Sequence, residues 1–497
     1  MTLIAKLNEL RSYAGAIRTR GLADATIERM AAQSPELVEA IDEAHSLHRA
    51  LRTELPDLLD LDEAEQLARV QHDFVNFYAD DAVNPYVALA ARGPWVVTLK
   101  GAVIHDSGGY GMLGFGHAPK TVLAAMAKPQ VMANVMTPST SQLRFTQALK
   151  ANIGSARDGG CPYTRFLCLN SGSESVSLAC RIADVNAKLM TDAGGKYAGR
   201  TVKRLAVKGA FHGRTERPAV YSDSSRKAYV QNLASFRDEH SLLTVEPYNV
   251  AQLRQVFADA DRNGWFIEAM FLEPVMGEGD PGRAVTPEFY AAARELTRSH
   301  GCIFLVDSIQ AGLRAHGVLS VVDYPGFEKL DPPDMETYSK ALNAGQYPLS
   351  VLAVTDQTAA LYRKGIYGNT MTANPRALDV ACAVLGLFTP ELRTNIRSRG
   401  TEFLDKLNQL ARELPGLITK VQGTGLLFSC ELAPQFKCFG AGSTEEWLRE
   451  NGIGVIHGGA NSLRFTPHFS ITEAEVDLMI DGVRHALLHG PRMSKAA

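Results

Sequence analysis

Apolar positions in the first part of the chain recur at helical spacing: Leu3, Leu7 and Leu10, then Leu37, Ile41 and Leu47. Ser34 followed by Pro35 has the form of a cap and a proline at the first helical position. The stretch is rich in Glu, Arg, Ala and Leu and poor in Gly. It predicts a helical extension over residues 1–80 that packs or supports an oligomer, with regulation or partner binding as the alternative.

The pattern changes near Asn84-Pro85, where Gly becomes frequent. TRFLCLN (164–170), RLAVKGA (204–210), AMFLEPV (269–275), CIFLVDS (302–308) and LSVLAVT (349–355) are apolar runs bounded by polar or Gly-rich turns. Helical patterns lie between several of them, as at Pro287 to Ser299. Continuous apolar strands alternating with helices predict an α/β fold with a mostly parallel sheet covered on both faces. Beyond Pro375 come a long helical pattern, a strand pair in GLITKVQGTGLLFSCEL and a last helix near Glu473–Leu488. These predict a smaller α+β lobe. The expected domains are the extension 1–80, an N-terminal part of the small domain at 81–135, a large domain at 136–375 and a C-terminal small domain at 376–497.

Composition narrows the function classes. The chain has 497 residues, 45% hydrophobic and 21% charged, enough to bury a sizeable core. Lys plus Arg total 51 against 54 Asp plus Glu, which argues against a large nucleic-acid surface. No apolar run is long enough for a membrane span. The first twenty residues carry charges throughout, unlike a secretory signal. Seven cysteines without a CxxC pair are expected to be reduced and mostly buried, in a cytoplasmic protein, with no metal site implied.

Three segments carry candidate chemistry. In LNSGSESVSLACRIADVNAK (169–188) a strand gives way to a small-residue turn and a helix with Val176, Ala179, Cys180 and Ala183 on one stripe. Free N–H groups at Ser171, Gly172 and Ser173 suit an anion; an ordinary helix cap reads the same way. In CIFLVDSIQAG (302–312) Asp307 ends an apolar strand, where open α/β sheets bind ligands. Burying that carboxylate calls for a cationic partner such as a protonated pyridine nitrogen; a turn-capping Asp is the plainer alternative. In DMETYSKALNAGQYPLS (334–350) Lys340 follows a half-apolar strand, as an amine nucleophile would, or as an ordinary surface lysine.

Taken in this order, the segments resemble the class III aminotransferases, the ornithine and 4-aminobutyrate type of pyridoxal-phosphate (PLP) enzymes of fold type I. The resemblance covers roughly residues 85 to 490. YGMLGFGHAPK (110–120) looks like the family's entry segment, NSGSES like its N-S-G-T-E-A phosphate turn, and GAFHGRT (209–215) like its ring-stacking motif. EPVMGEG (273–279) resembles E-P-I-Q-G-E-G, DSIQAG resembles D-E-V-Q-T-G, NTMTANP (369–375) resembles S-T-x-G-G-N-P, and SLRFTP (462–467) looks like the carboxylate motif. YSKAL supplies the cofactor lysine.

The resemblance implies a seven-stranded-type large domain and residue roles. Lys340 would hold PLP covalently and shuttle a proton, with Asp307 on the pyridinium nitrogen; these two are the catalytic residues. Ser171, Gly172 and Ser173 would hold the phosphate, and Thr370 would complete that site across a homodimer interface. Phe211 would stack on the ring, Gln310 would bond its hydroxyl, and His212 and Glu273 complete the cofactor-binding set. Arg464 would bind the substrate α-carboxylate, with Glu278 neutralising it when an ω-amino group is presented. Arg214 would take the distal carboxylate of 2-oxoglutarate, and Tyr110 would line the substrate pocket. No metal is expected.

There are departures from the family pattern. Ser308 replaces the Glu after the Asp, Thr372 and Ala373 replace two glycines, and KALNAGQYPLS replaces a shorter Gly-rich turn. All are expected around the ligand face, where they bear on specificity. The expected activity is transfer of an amino group from an amine or (ω-)amino acid to an oxo acid such as 2-oxoglutarate or pyruvate, with no nucleic-acid or membrane partner. An aminomutase, an epimerase or a decarboxylating transaminase would use the same Lys and Asp; a non-catalytic scaffold is the alternative of another class.

Overall fold

The structure is a computed structural model, and it describes residues 1–131 and 136–493. Residues 132–135, at the end of the expected 81–135 segment, and 494–497, at the end of 376–497, lie outside the described residues. The chain divides into two compact units: residues 1–120 with 398–497, and residues 121–397.

The first unit opens with helices Leu3–Arg11, Asp24–Ala31, Pro35–Glu54, Pro56–Leu59 and Glu63–Gln71. Leu7, Leu10, Leu37, Ile41 and Ala44 are buried, as the helical period requires, while Leu47 is exposed and His48 takes the inward place one residue on. Ser34 stands at the N-cap but makes no cap bond. Its hydroxyl instead accepts from Trp95 Nε1 at 2.8 Å. The helices are fixed to the rest of the unit: Arg18 pairs with Glu446 and Glu450, and Leu22 N–H donates to Val103 O at 2.9 Å. Strands β1 (Ala88–Arg92), β2 (Trp95–Thr98) and β3 (Val103–Asp106) follow, antiparallel in sequence.

The second unit holds a seven-stranded sheet. Its strands are β4 (Arg165–Leu169), β5 (Thr201–Val207), β6 (Leu242–Val245), β7 (Trp265–Leu272), β8 (Ile303–Asp307), β9 (Met335–Tyr338) and β10 (Ser350–Val354). The order is β4-β10-β9-β8-β7-β5-β6. The β5–β6, β5–β7, β7–β8 and β8–β9 pairs are parallel, and β10 runs antiparallel to both its neighbours. The five apolar runs read from the sequence are β4, β5, β7, β8 and β10; β9 was read only as the half-apolar strand before Lys340, and the LLTV of β6 is too short and half-exposed to stand out. Every residue of β8 and β10 is buried, which is why neither shows alternation. Helix Gly172–Thr191 buries Val176, Ala179, Cys180 and Ala183 completely, in one core with Phe271, Leu305 and Met335 of the sheet. Helix Pro287–His300 starts on a Thr286 cap and ends at Gly301, which takes φ 66° as a left-handed C-terminal stop.

The chain closes in the first unit. Strands β11 (Ile418–Thr424), β12 (Leu427–Leu432), β14 (Ile456–Gly458) and β15 (Ser462–Phe465) form an antiparallel sheet in the order β11-β12-β15-β14, while β13 (Ile453–Gly454) joins β3 in parallel. The last helix, Glu473–His489, begins on a Thr472–Glu475 capping box. No helix among the described residues is long and apolar enough to cross a membrane.

Candidate active site

Most of the sequence candidates fall in the second unit, at the carboxyl ends of its parallel strands. The chain leaves β4 at Leu169, and Ser171 caps helix Gly172–Thr191 by accepting from Glu174 N–H at 3.3 Å. Twenty aligned peptide dipoles start here, so the first-turn N–H groups lie where an anion site at Ser171, Gly172 and Ser173 is expected. The turn admits little bulk: a Cβ at Gly172 would lie 2.7 Å from Ile309, and one at Gly213, with φ 113°, 2.6 Å from Ser173 Oγ. Glu174 reinforces it, accepting from Asn170 N–H at 2.8 Å and from Asn369 Nδ2 at 2.9 Å.

Asp307 ends β8 and is 4% exposed. Its Oδ2 lies 2.8 Å from His212 Nδ1, and Oδ1 accepts from Ile309 N–H at 3.1 Å. His212 is buried, packs its ring edge-on against Phe271, and leaves Nε2 without a partner among the described residues. Glu273, also buried, accepts from Phe211 N–H at 2.9 Å and Gly277 N–H at 3.0 Å, which fixes the backbone beneath the half-buried Phe211 ring. Burial pushes its carboxyl up to about 7, against the pull of His212 and of those two N–H donors.

Lys340 follows β9, the strand beside β8. Its backbone is left-handed, φ 49°, a conformation that costs a residue with a side chain roughly 1–2 kcal/mol. Such strain persists only where surroundings impose it, and it gathers at functional sites. With the Gln310 amide oriented to pair donors with acceptors, its oxygen accepts from Lys340 Nζ at 2.9 Å and its nitrogen donates to Gly277 O at 3.1 Å. A Cβ at 277 would overlap that amide, so a larger residue there would displace the Gln310 side chain.

These groups suit PLP. A helix N-terminus with a close-fitting glycine could take the phosphate, Asp307 the ring nitrogen, Phe211 a ring face and Lys340 the aldehyde carbon. Asp307 retains acceptor capacity, because two donors occupy a carboxylate with roughly four lone-pair sites. Thr370 is exposed, next to the anchored Asn369. Arg214 sits over the Phe211 ring at 5.1 Å and lies 3.9 Å from Glu278.

Arg464 and Tyr110 belong to the first unit. Arg464, on β15 between β12 and β14, is 1% exposed, and its guanidinium lies 5.4 Å over the Tyr110 ring. Tyr110 takes φ 51° and stacks on Tyr78 at 5.7 Å. Burial pushes its phenol above the ordinary range.

One expectation is corrected. Ser308 does not face a ligand: side chains alternate along β8, so it points away from Asp307 and its hydroxyl donates to the buried Glu336 at 2.6 Å. Of the two positions where glycines are replaced, Ala373 keeps a glycine-like backbone at φ 57° and Thr372 does not; Ala344, in the altered turn after Lys340, is also left-handed at φ 51°. The sequence reading missed the Asp307–His212 pairing, the Glu174 bridge and Tyr78. The Asp and His are 95 residues apart and no local period links them. Glu174, three residues after Ser171, carried a legible capping signal.

The aminotransferase class-III family matches residues 77–487. Among solved structures, ornithine aminotransferase from Toxoplasma gondii ME49 is 23% identical over 88% of this chain and 98% of its own, with a TM-score of 0.72. A second structure of the ornithine aminotransferase from that species, described with partial occupancy of PLP at the active site, is 24% identical over 85% and 94%, TM-score 0.71. Acetylornithine aminotransferase from Elizabethkingia anophelis is 21% identical over 86% and 99%, TM-score 0.67. These likenesses show the expected fold type I architecture. The chain belongs to the class-III aminotransferases and is a PLP-dependent enzyme of amino-group transfer.

Proposed function

We propose that this enzyme moves an amino group from an amine or ω-amino acid to an oxo acid such as 2-oxoglutarate or pyruvate, with Lys340 and Asp307 as its catalytic residues. The observation that carries the reading is the convergence on adjoining strand ends. A buried Asp307 with spare acceptor capacity ends β8, and a strained Lys340, bonded to Gln310 at 2.9 Å, follows β9. PLP, when bound, supplies an electron sink for the bond broken at the donor carbon. Ser171, Gly172 and Ser173 hold the phosphate, and Asp307 holds a proton on the ring nitrogen by favouring its charged form. Lys340 Nζ takes up the proton that leaves the donor carbon and returns it when the acceptor is aminated. Glu273 and His212 act through the groups they position, Phe211 and Asp307. Arg464 takes the substrate carboxylate in a bidentate pair; Arg214 takes the distal carboxylate of a dicarboxylic acceptor.

The active unit is a homodimer, with Thr370 serving the partner's phosphate site; its exposure beside a fixed Asn369 supports this. Seven free cysteines support a reducing, cytoplasmic setting. A donor screen with 2-oxoglutarate and pyruvate tests the function. One carbonyl product of the donor, an aldehyde, ketone or oxo acid according to the donor, is expected for each acceptor aminated. Racemisation, or carbon dioxide release with or without acceptor amination, would assign the scaffold to other chemistry.

A further inference from the structure

We infer that His105, His468 and Glu475 form a site for one zinc-type divalent cation, apart from the residues assigned to amino transfer. The three come from separate segments of the first unit: β3, the loop after β15, and the first turn of helix Glu473–His489. Glu475 Oε1 faces both imidazoles, 3.2 Å from His468 Nε2 and 3.5 Å from His105 Nε2. The three donor atoms all lie within 4.8 Å of one another, and among the described residues this is the group with such convergence.

The spacing favours a cation over a plain hydrogen-bond triad. His105 is fully buried, and neither ring nitrogen has a hydrogen-bond partner among the described residues. At 3.5 Å its Nε2 is too far from Glu475 for a good hydrogen bond. Yet tetrahedral zinc with bonds of about 2.0–2.1 Å separates neighbouring ligand atoms by about 3.3 Å, between the two observed separations. Leaving a buried imidazole nitrogen without a hydrogen bond is costly, and a cation on Nε2 would satisfy that nitrogen.

The donors are also held in place. Glu475 Oε2 accepts from Thr472 N–H at 2.7 Å and Thr472 Oγ1 at 2.8 Å, which leaves Oε1 as the oxygen turned to the imidazoles. Trp95 packs edge-on against the His105 ring at 5.0 Å. Beside His468 and Glu475 opens a cavity of about 180 Å³, lined also by Ser34, Ser470 and Thr472. It offers an entry path and room for water at a fourth position. Two imidazoles, one carboxylate and an open fourth position make a zinc donor set. The cation would tie β3 to the cap of the last helix.

Zinc titration of the full-length, PLP-loaded protein, untagged, chelator-treated and dialysed, against a chromophoric chelator tests this. One equivalent of ZnCl2 per chain is expected, with a tetrahedral visible spectrum when CoCl2 replaces it. His105→Ala and His468→Ala should each weaken binding at least about a hundredfold, the upper end of what loss of an outer-shell partner alone costs. Zinc should raise the melting temperature of the wild type and not of these variants. His468 is half-buried on a loop, so its variant decides the matter even if His105→Ala fails to fold. His485 and His489 are exposed neighbours on the last helix, ring centroids 4.6 Å apart, and their double Ala variant should bind as the wild type does. Absence of stoichiometric binding, undiminished affinity in His468→Ala, or loss in the His485/His489 variant would each overturn the inference.

Discussion

Asp307 and Glu336 are both buried carboxylates on adjoining strands, β8 and β9, and they face opposite sides of one sheet. Glu336 accepts from Ser308 Oγ at 2.6 Å, Tyr163 Oη at 2.7 Å and Val321 N–H at 2.9 Å, and from Ser320 Oγ. Every donor is neutral, so burial still pushes its carboxyl above the ordinary range. Its acceptor capacity is spent within the fold. Asp307 has an imidazole and one backbone N–H, and keeps capacity for a further group. Burial alone therefore does not mark a functional carboxylate; the unspent lone pairs and the ionisable neighbour do.

The comparison can be broken by substitution. Asp307→Asn should cost turnover about 10²–10³-fold, the size of loss when a preorganised charge aimed at the reacting group is removed. Steady-state kinetics at saturating PLP checks this, with cofactor retention falling less. Arg464→Ala should raise the Michaelis constant for the oxo-acid acceptor roughly tenfold to a hundredfold, the loss of about 1.5–3 kcal/mol of charge-assisted hydrogen bonding. Stopped-flow half-reactions should show a smaller change for a donor lacking that carboxylate. Glu336→Gln should do the reverse of Asp307→Asn. An amide cannot serve all four donors, so stability should fall by about 1–3 kcal/mol in denaturant titration, with turnover little changed. Ala373→Gly should have the smallest effect. It relieves a left-handed alanine but loosens the unfolded chain, for a net gain under about 1 kcal/mol in the same titration.

Much of this was legible in the sequence, for identifiable reasons. Strands buried on both faces read as unbroken apolar runs, so β4, β5, β7, β8 and β10 stood out. The Val176–Ala179–Cys180–Ala183 stripe marked the buried face of helix Gly172–Thr191. Lys340 and Asp307 were marked by strand ends and by motif order. Alternation along the strand places Ser308 opposite Asp307, but its partner was not legible, because it depends on β9 supplying Glu336 at the neighbouring register position. Nor was the His105–His468–Glu475 cluster, whose members are brought together by contacts some 350 residues apart, such as the pairing of β3 with β13 and the bond from Thr466 N–H to Ser107 O. Ala373 was readable as a substitution for glycine, but its left-handed backbone needs the surrounding loop.

The central claim is that Lys340 carries the cofactor beside Asp307. Borohydride reduction of the PLP-loaded enzyme, followed by proteolysis and peptide mapping, tests it most directly. The account predicts one pyridoxyl label per chain, on the peptide containing Lys340, and no label together with no turnover in a folded Lys340→Ala variant. A pyridoxyl group on any other lysine, or turnover surviving in Lys340→Ala, would contradict it.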